Sequence, residues 1–303
     1  MSNIVILKSY AKLNLYLEVL GRRKDNYHNI RTLFERIGLF DKIILKSRRD
    51  KKIRIICHAP HVPKDSTNLC YRSAKLLQDA LEVNKGVDIK IIKRIPVGAG
   101  LGGGSSNAAV VLEGLNKIWR LGLKRAKLVT LAKKIGSDVP FFLYESPFAE
   151  GTRRGDKIRL LPALNKVRLW HILIVPGIKV STPVIYREWD KLQKGYNADN
   201  QSVRGLTRPE YNVKLLSLAI RKKGLHLANQ ALFNSLEQVS AGLYPEITRI
   251  KERFKEKGVK SILMSGSGPA VFGILSSRKE AVSLGRQLKG ENRFWQVFVT
   301  RTA

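Results

Sequence analysis

The sequence predicts an α+β protein of two domains, and three observations carry that prediction. At 303 residues the chain exceeds what one hydrophobic core usually organises. In its first half a strand-like run, Gly86 to Ile95, leads into five glycines (Gly98, Gly100, Gly102, Gly103, Gly104). A helical run follows through Ala108, Val111, Leu112, Leu115 and Trp119. In its second half the pattern reads helix, hairpin, helix, strand. Pro162 to Lys166 is a plausible boundary, dividing the chain into 1–164 and 165–303.

The elements of the first half follow from periodicity. Ile4 to Leu7 is a short apolar run. Ala11 to Leu20 alternates, with Leu13, Leu15 and Leu17 on one face and Lys12, Asn14 and Tyr16 on the other. That predicts a strand with one buried side, on which Lys12 and Asn14 point the same way, one pleat apart. Asp25-Asn26 is a turn signal just before Tyr27-His28. Arg36 to Ser47 and Lys52 to Cys57 read as strands. A helix from Asn68 to Leu81 carries an apolar stripe, with Ser66 or Thr67 as N-cap. A basic amphipathic helix spans Leu123 to Ile135. Asp138 then stands between a glycine turn and the apolar run Val139-Pro140-Phe141-Phe142, out of place for a surface acid unless it caps a helix. Phe148 to Gly155 and Ile158 to Leu161 close the first domain as strands.

In the second domain, Trp170 to Val175 is a buried strand. Thr182 is the expected N-cap of a helix with Pro183 near its first position. Gln193 to Pro209 is polar and turn-rich, a loop. Helical runs follow at Val213 to Lys222 and Leu225 to Ser240. Another helix begins near Pro245 and is stopped by Gly258. Ile262 to Ile274 reads strand, glycine turn (Gly266, Ser267, Gly268), strand, which on its own is a hairpin. A helix from Arg278 to Leu288 and a strand near Trp295 to Val299 end the chain.

The segment Pro96-Val97-Gly98-Ala99-Gly100-Leu101-Gly102-Gly103-Gly104-Ser105-Ser106 suits an anion. Glycines let a ligand approach the backbone, and the first amides of a helix lack internal partners and favour phosphate. Ser105 and Ser106 add hydroxyls that can reach phosphate oxygens or a metal on them. A P-loop needs Gly-Lys-Ser/Thr after its spacer, and Gly103 is followed by glycine instead. Gly98, Gly100 and Gly103 meet the dinucleotide pattern literally, but no strand follows the helix. A flexible linker would not be bounded so sharply by strand and helix.

This loop resembles the ATP-binding loop of the GHMP kinases. The likeness extends along nearly the whole chain through Ala-Lys12-Leu-Asn14-Leu, Tyr27-His28, Asn68, Gly-Ser-Asp138-Val-Pro, Thr182-Pro-Val-Ile-Tyr186, Asn-Ser-Leu-Glu from Asn234 to Glu237, and Ser-Gly266-Ser267-Gly268. The tyrosine–histidine and threonine–tyrosine motifs are similar to those of the branch acting on a diphosphocytidyl-linked polyol. The resemblance implies a ribosomal-protein-S5-like first domain, a ferredoxin-like second domain and an active site between them. It implies Asp138 as catalytic base, with Lys12 in the active site. It further implies ATP held by residues 96–106, with Asn68 near the adenine. Substrate contacts would come from Asn14, Thr182 and the 266–268 turn. Tyr27 and Tyr186 would face the cytosine from two sides, and His28 would bond its edge. The reaction implied is phosphoryl transfer from ATP, with Mg²⁺, to the 2-hydroxyl of a methylerythritol carrying cytidine diphosphate, in non-mevalonate isoprenoid precursor synthesis. No Mg²⁺ ligand set is legible.

Composition bounds the alternatives. The net charge is +32, but the basic residues are dispersed and form no known nucleic-acid signature. A nucleic-acid module would need neither Asp138 nor the glycine loop. No apolar run approaches the ~20 residues of a membrane span. The first ten residues are too short and polar for a signal peptide. Cys57 and Cys70 alone do not support a disulfide framework, so a cytoplasmic setting is expected.

Overall fold

The computed structural model describes residues 3–198, 213–222 and 229–303. The first sheet runs β3 (Ile53–Ile56), β4 (Gly86–Ile92), β2 (His28–Arg48), β1 (Ile4–Arg22) and β8 (Phe233–Asn234). β5 (Phe148–Thr152) and β6 (Lys157–Leu160) extend it from β2. The second sheet is antiparallel, in the order β11 (Trp295–Arg301), β7 (Trp170–Pro176), β10 (Val271–Leu275), β9 (Ser261–Met264). The helices of the first half are α1 (Leu69–Leu81), α2 (Gly103–Ile118), α3 (Arg125–Ile135) and α4 (Val139–Phe142). Those of the second half are α5 (Thr182–Ala198), α6 (Val213–Arg221), α7 (Glu237–Leu243), α8 (Pro245–Glu256) and α9 (Arg278–Leu288). Helices and strands are thus mixed in both halves, as the α+β expectation requires.

β1 is a single long strand and not a short run followed by a separate one. Its pairing with β2 shifts register at Tyr10/Ala11, Asn14/Tyr16 and Val19/Gly21. Both of its faces are buried around Lys12 to Leu17, contrary to the one-sided expectation. Leu13 and Leu15 pack into a cluster that includes Leu173 and Phe272 of the second sheet. The other face, with Lys12 and Asn14, lines a cavity. Burial on both sides removes the polar alternation a solvated sheet face would show.

α2 lies between α1 and the first sheet. Its residues from Ser106 to Leu112 are all buried, the signature of a helix enclosed on every side. Val111, Leu112 and Leu115 share a core cluster with Ile43, Leu45 and Ile89. Truncating such a leucine to alanine typically costs about 2–5 kcal/mol. α8 and α9 cover the second sheet through Ile250, Phe254 and Leu284 against Ile172 and Ile174.

Several boundaries differ from expectation for identifiable reasons. The N-cap of α1 is Asn68, whose side chain accepts from the Cys70 amide; Ser66 and Thr67 are not the cap. Thr182 is already helical, and its hydroxyl meets Ser267 Oγ at 2.7 Å. The expected loop from Gln193 begins instead within α5, and residues 199–209 lie outside the described residues. The expected helix from Leu225 to Ser240 is interrupted; residues 223–228 lie outside the described residues. Beyond them Phe233–Asn234 pairs in parallel with Tyr16–Leu17, adding a strand from the second half to the first sheet. The Asn234 amide donates to Met264 O and Gly266 O, both at 2.8 Å, while Asn234 Oδ1 accepts from the Leu236 amide. These bonds compete with helix at that point.

Candidate active site

The glycine loop is fixed from three directions. Ala99 and Leu101 are buried in the core, so they offer a ligand backbone only. The Lys12 amide donates to Leu101 O at 2.9 Å, tying the loop to β1. The 265–268 turn closes on it from the second sheet, with Ser265 Oγ donating to Gly100 O at 3.1 Å. Gly100 has φ +74°, and a Cβ there would fall 2.2 Å from Ser265 O. Only glycine satisfies both the left-handed backbone and that approach.

α2 begins at Gly103, inside the glycine run, with Gly102 as an N-cap that supplies no side-chain hydrogen bond. Its first internal bond is from the Ser106 amide to Gly102 O. The amides of Gly103, Gly104 and Ser105 therefore precede the helical ladder, and no acidic side chain stands in the first turn. Such amides can hold an anion. Ser106 is buried; the Ser9 hydroxyl donates to its Oγ at 2.7 Å. Ser105 instead lines a cavity of about 320 Å³ with Pro96 to Gly104, Asn68 and Lys93. Asn68 thus both caps α1 and lines this cavity.

A second cavity, of about 740 Å³, meets the first at Gly100 and Gly102. Lys12, Asn14, Tyr27, His28, Asp138, Thr182, Tyr186, Gly266 and Ser267 all line it. Gly268 is not among its lining residues. A wider basic groove of about 900 Å³ at Arg48–Arg54 and α1 shares no residue with either cavity.

Lys12 Nζ lies 3.5 Å from Asp138 Oδ2. Lys12 Nζ also donates to Asn14 Oδ1. Asn14 Nδ2 in turn donates to Thr32 Oγ1 at 2.8 Å, and Thr32 Oγ1 to Tyr16 O at 2.6 Å. The pleat that puts Lys12 and Asn14 on one face thus builds a chain of bonds leading to the acid. Asp138 occupies the N-cap position of α4, as the capping alternative at Ser137 or Asp138 allowed, but its side chain makes no capping hydrogen bond and its carboxylate faces Lys12 instead. The segment on its C-terminal side anchors it: Val139 and Phe141 are buried, and Phe141 stacks on Phe34 at 4.9 Å. Arg36 donates to Phe142 O and Tyr144 O at the end of the same segment.

Tyr27 is 53% exposed, with the Arg154 guanidinium 4.9 Å from its ring. Tyr186 stacks on His28, centroids 4.7 Å apart at 28°. Burial, and secondarily the Asp138 carboxylate, push the Tyr186 phenol above its ordinary value.

Sequence reasoning missed Asp41, Thr32 and Asp190, which organise the site, and it named Glu237 only as part of a motif, without a role. Asp41 Oδ1 accepts from the amides of Arg94 and Ile95, and its Oδ2 meets Lys93 Nζ at 2.7 Å, fixing the entry to the loop. Glu237 accepts from the Met264 amide at 2.6 Å and braces the opposing turn. Of the three missed residues only Asp190 carried a usable signal, since it comes four positions after Tyr186 on a predicted helix.

An unpaired helix start on the smaller cavity and an acid–lysine pair on the adjoining one are the parts a small-molecule kinase needs. The comparisons agree. The GHMP kinases N terminal domain matches residues 68–146 and the GHMP kinases C terminal domain matches residues 216–292. A 4-diphosphocytidyl-2-C-methyl-D-erythritol kinase of Bacillus cytotoxicus is 40% identical over 286 residues, covering 94% of this chain and 93% of the relative. One of Acetivibrio thermocellus is 36% identical over 300 residues, 98% and 99% of the two chains. A crystal structure of 4-(cytidine 5'-diphospho)-2C-methyl-D-erythritol kinase superposes with TM-score 0.76 at 30% identity, covering 99% and 100%. The chain belongs to the 4-diphosphocytidyl-2-C-methyl-D-erythritol kinase family of the GHMP kinases.

Proposed function

We propose that this protein transfers the γ-phosphoryl group of ATP to the 2-hydroxyl of 4-diphosphocytidyl-2-C-methyl-D-erythritol, in non-mevalonate isoprenoid precursor synthesis. The observation that carries the reading is the Lys12–Asp138 pair, 3.5 Å apart, beside the two cavities that meet at Gly100 and Gly102. Family membership supplies the substrate.

Phosphoryl transfer asks little covalent work of a protein; positioning and charge stabilisation dominate. The amides of Gly103, Gly104 and Ser105 hold the phosphates, with Asn68 beside the adenine. Asp138 accepts the proton of the attacking hydroxyl. Lys12, steadied by Asn14, orients that hydroxyl and faces the developing charge. Tyr27, His28 and Tyr186 hold the cytosine, and Thr182 with Gly266 and Ser267 closes the substrate side.

Magnesium enters with the nucleotide, where it neutralises phosphate charge. Among the described residues no group of three or more His, Cys, Asp or Glu is placed to hold a metal by itself. A phosphate-borne ion needs only one or two protein oxygens, and the Ser105 hydroxyl, which lines the loop cavity, would supply one. No helix of the described residues is long and apolar enough to cross a membrane. The cytoplasmic setting and the division at 164/165 stay part of this reading.

The test is ATP turnover with the cytidine-linked substrate against homoserine and mevalonate. Turnover with the first alone is expected; turnover with either of the others instead would overturn the substrate assignment.

A further inference from the structure

The helix α5 carries an acid that the proposed chemistry leaves unused. His28 Nε2 meets Asp190 Oδ1 at 2.7 Å, across the junction of β2 and α5. The imidazole is almost enclosed, with its side chain 6% exposed. Tyr186 covers one face, and Trp189 meets it edge-on at 5.8 Å and 89°. The other Asp190 oxygen stands 3.8 Å from Arg22 Nη1. Among the described residues Nδ1 makes no hydrogen bond, and the ring lines the larger cavity.

We infer that Asp190 is a positioning residue that selects cytosine through His28. A carboxylate only accepts, so Nε2 must carry the proton of that bond. In the neutral imidazole this leaves Nδ1 with a lone pair and no hydrogen. A second group that fixes the ring's tautomer and orientation is the device that metal-binding histidines use. Here it presents a single acceptor to the base. An acceptor matches the 4-amino group of cytosine and opposes the carbonyl oxygen that uracil carries in its place. Without Asp190 the ring can exchange tautomers, and Nδ1–H then suits the carbonyl. Tyr186 and Trp189 hold the ring in place whether or not Asp190 is present. The consequence is therefore lost selectivity, not a lost pocket.

The inference rests on the cytidine-linked substrate proposed above. Its test compares wild type, Asp190→Ala and Asp190→Asn with the cytidine substrate and its uridine counterpart. Asparagine can accept from Nε2–H or, flipped, donate to a bare Nε2, so it keeps a hydrogen bond to the ring without fixing the tautomer. For Asp190→Ala the cytidine-to-uridine ratio of kcat/KM should fall by at least about tenfold, since a site built for a polar partner discriminates through it. The loss should appear in KM for the cytidine substrate, with kcat and the KM for ATP little changed. Asp190→Asn should give a ratio between those of Asp190→Ala and wild type. An equal loss for both substrates, or a ratio unchanged in Asp190→Ala, would overturn the inference. Wild type that is inactive on the cytidine substrate would instead overturn the proposed function.

Discussion

Lys12 Nζ and Asp138 Oδ2 lie 3.5 Å apart although 126 positions separate them in sequence (138 − 12), and Lys12 also ties the glycine loop to β1 through its own amide. One residue thus touches both the glycine loop and the proposed base. Lys12→Met keeps the backbone bond and most of the stem that packs under Gly102. It should therefore lower kcat much more than it weakens ATP binding. Steady-state kinetics with ATP titration by calorimetry would check this; an intact kcat with lost ATP affinity would assign Lys12 to nucleotide binding alone.

The loop glycines should separate into two kinds. Gly100 meets the Ser265 carbonyl and has positive φ, so Gly100→Ala should lower both thermal stability and ATP affinity. A Cβ at Gly104 would meet only Leu69 Cδ1, at 3.7 Å, and its backbone is not left-handed. Gly104→Ala should therefore fold normally, aided by better helix propensity, yet weaken ATP by crowding the phosphate approach. Thermal melts with and without ATP distinguish them. Unchanged ATP affinity in Gly104→Ala would mean the helix start does not hold the phosphates.

Tyr27→Ala and Tyr186→Ala should each raise the KM of the cytidine substrate about tenfold, because base–aromatic stacking is worth ~1–3 kcal/mol per base. The KM for ATP should stay nearly constant. Tyr27 is exposed, so its variant should keep wild-type stability, whereas Tyr186→Ala also removes the stack on His28 and should melt earlier. A parallel rise in both KM values would count against the cytosine assignment.

The two sheets are joined by a buried polar cluster. Glu35 Oε1 on β2 accepts from Thr302 Oγ1 at 2.6 Å and meets His171 Nε2 of β7 at 2.9 Å. Thr302 Oγ1 also accepts from the Leu169 amide at 2.8 Å. All three side chains belong to fully buried residues. Thr302→Val leaves an amide and a carboxylate short of partners, so it should cost about 1–3 kcal/mol, the usual penalty for an unsatisfied buried group. Urea unfolding measures it; a change within error would show that the cluster does not couple the sheets energetically.

The site's skeleton was legible where local chemistry forces it. The glycine run, the pleat carrying Lys12 and Asn14, and the misplaced acid at Asp138 each advertise themselves within a few residues. The features that escaped were long-range. Nothing local says that Asp41 clamps the loop entry from β2, or that Glu35 pairs with His171. Periodicity also misread β1, because its leucine face packs on the second sheet while its Lys12–Asn14 face is buried at the site. The break at Phe233–Asn234 was hidden in a helical pattern, since the bonds that draw Asn234 out of it run to Met264 O, Gly266 O and β1, all distant in sequence. Lys93 is likewise held by distant as well as local partners, Asp41 and Ile95 O.

The most direct test of the account is single-turnover phosphoryl transfer by Asp138→Asn, alongside its ATP affinity. Asparagine preserves shape but cannot take the proton, and loss of a positioned base typically costs ~10²–10⁴ in rate. We predict a loss of that size in the chemical step, with ATP affinity within a few-fold of wild type. A near-normal transfer rate in the pure variant would contradict the account and remove Asp138 from the mechanism.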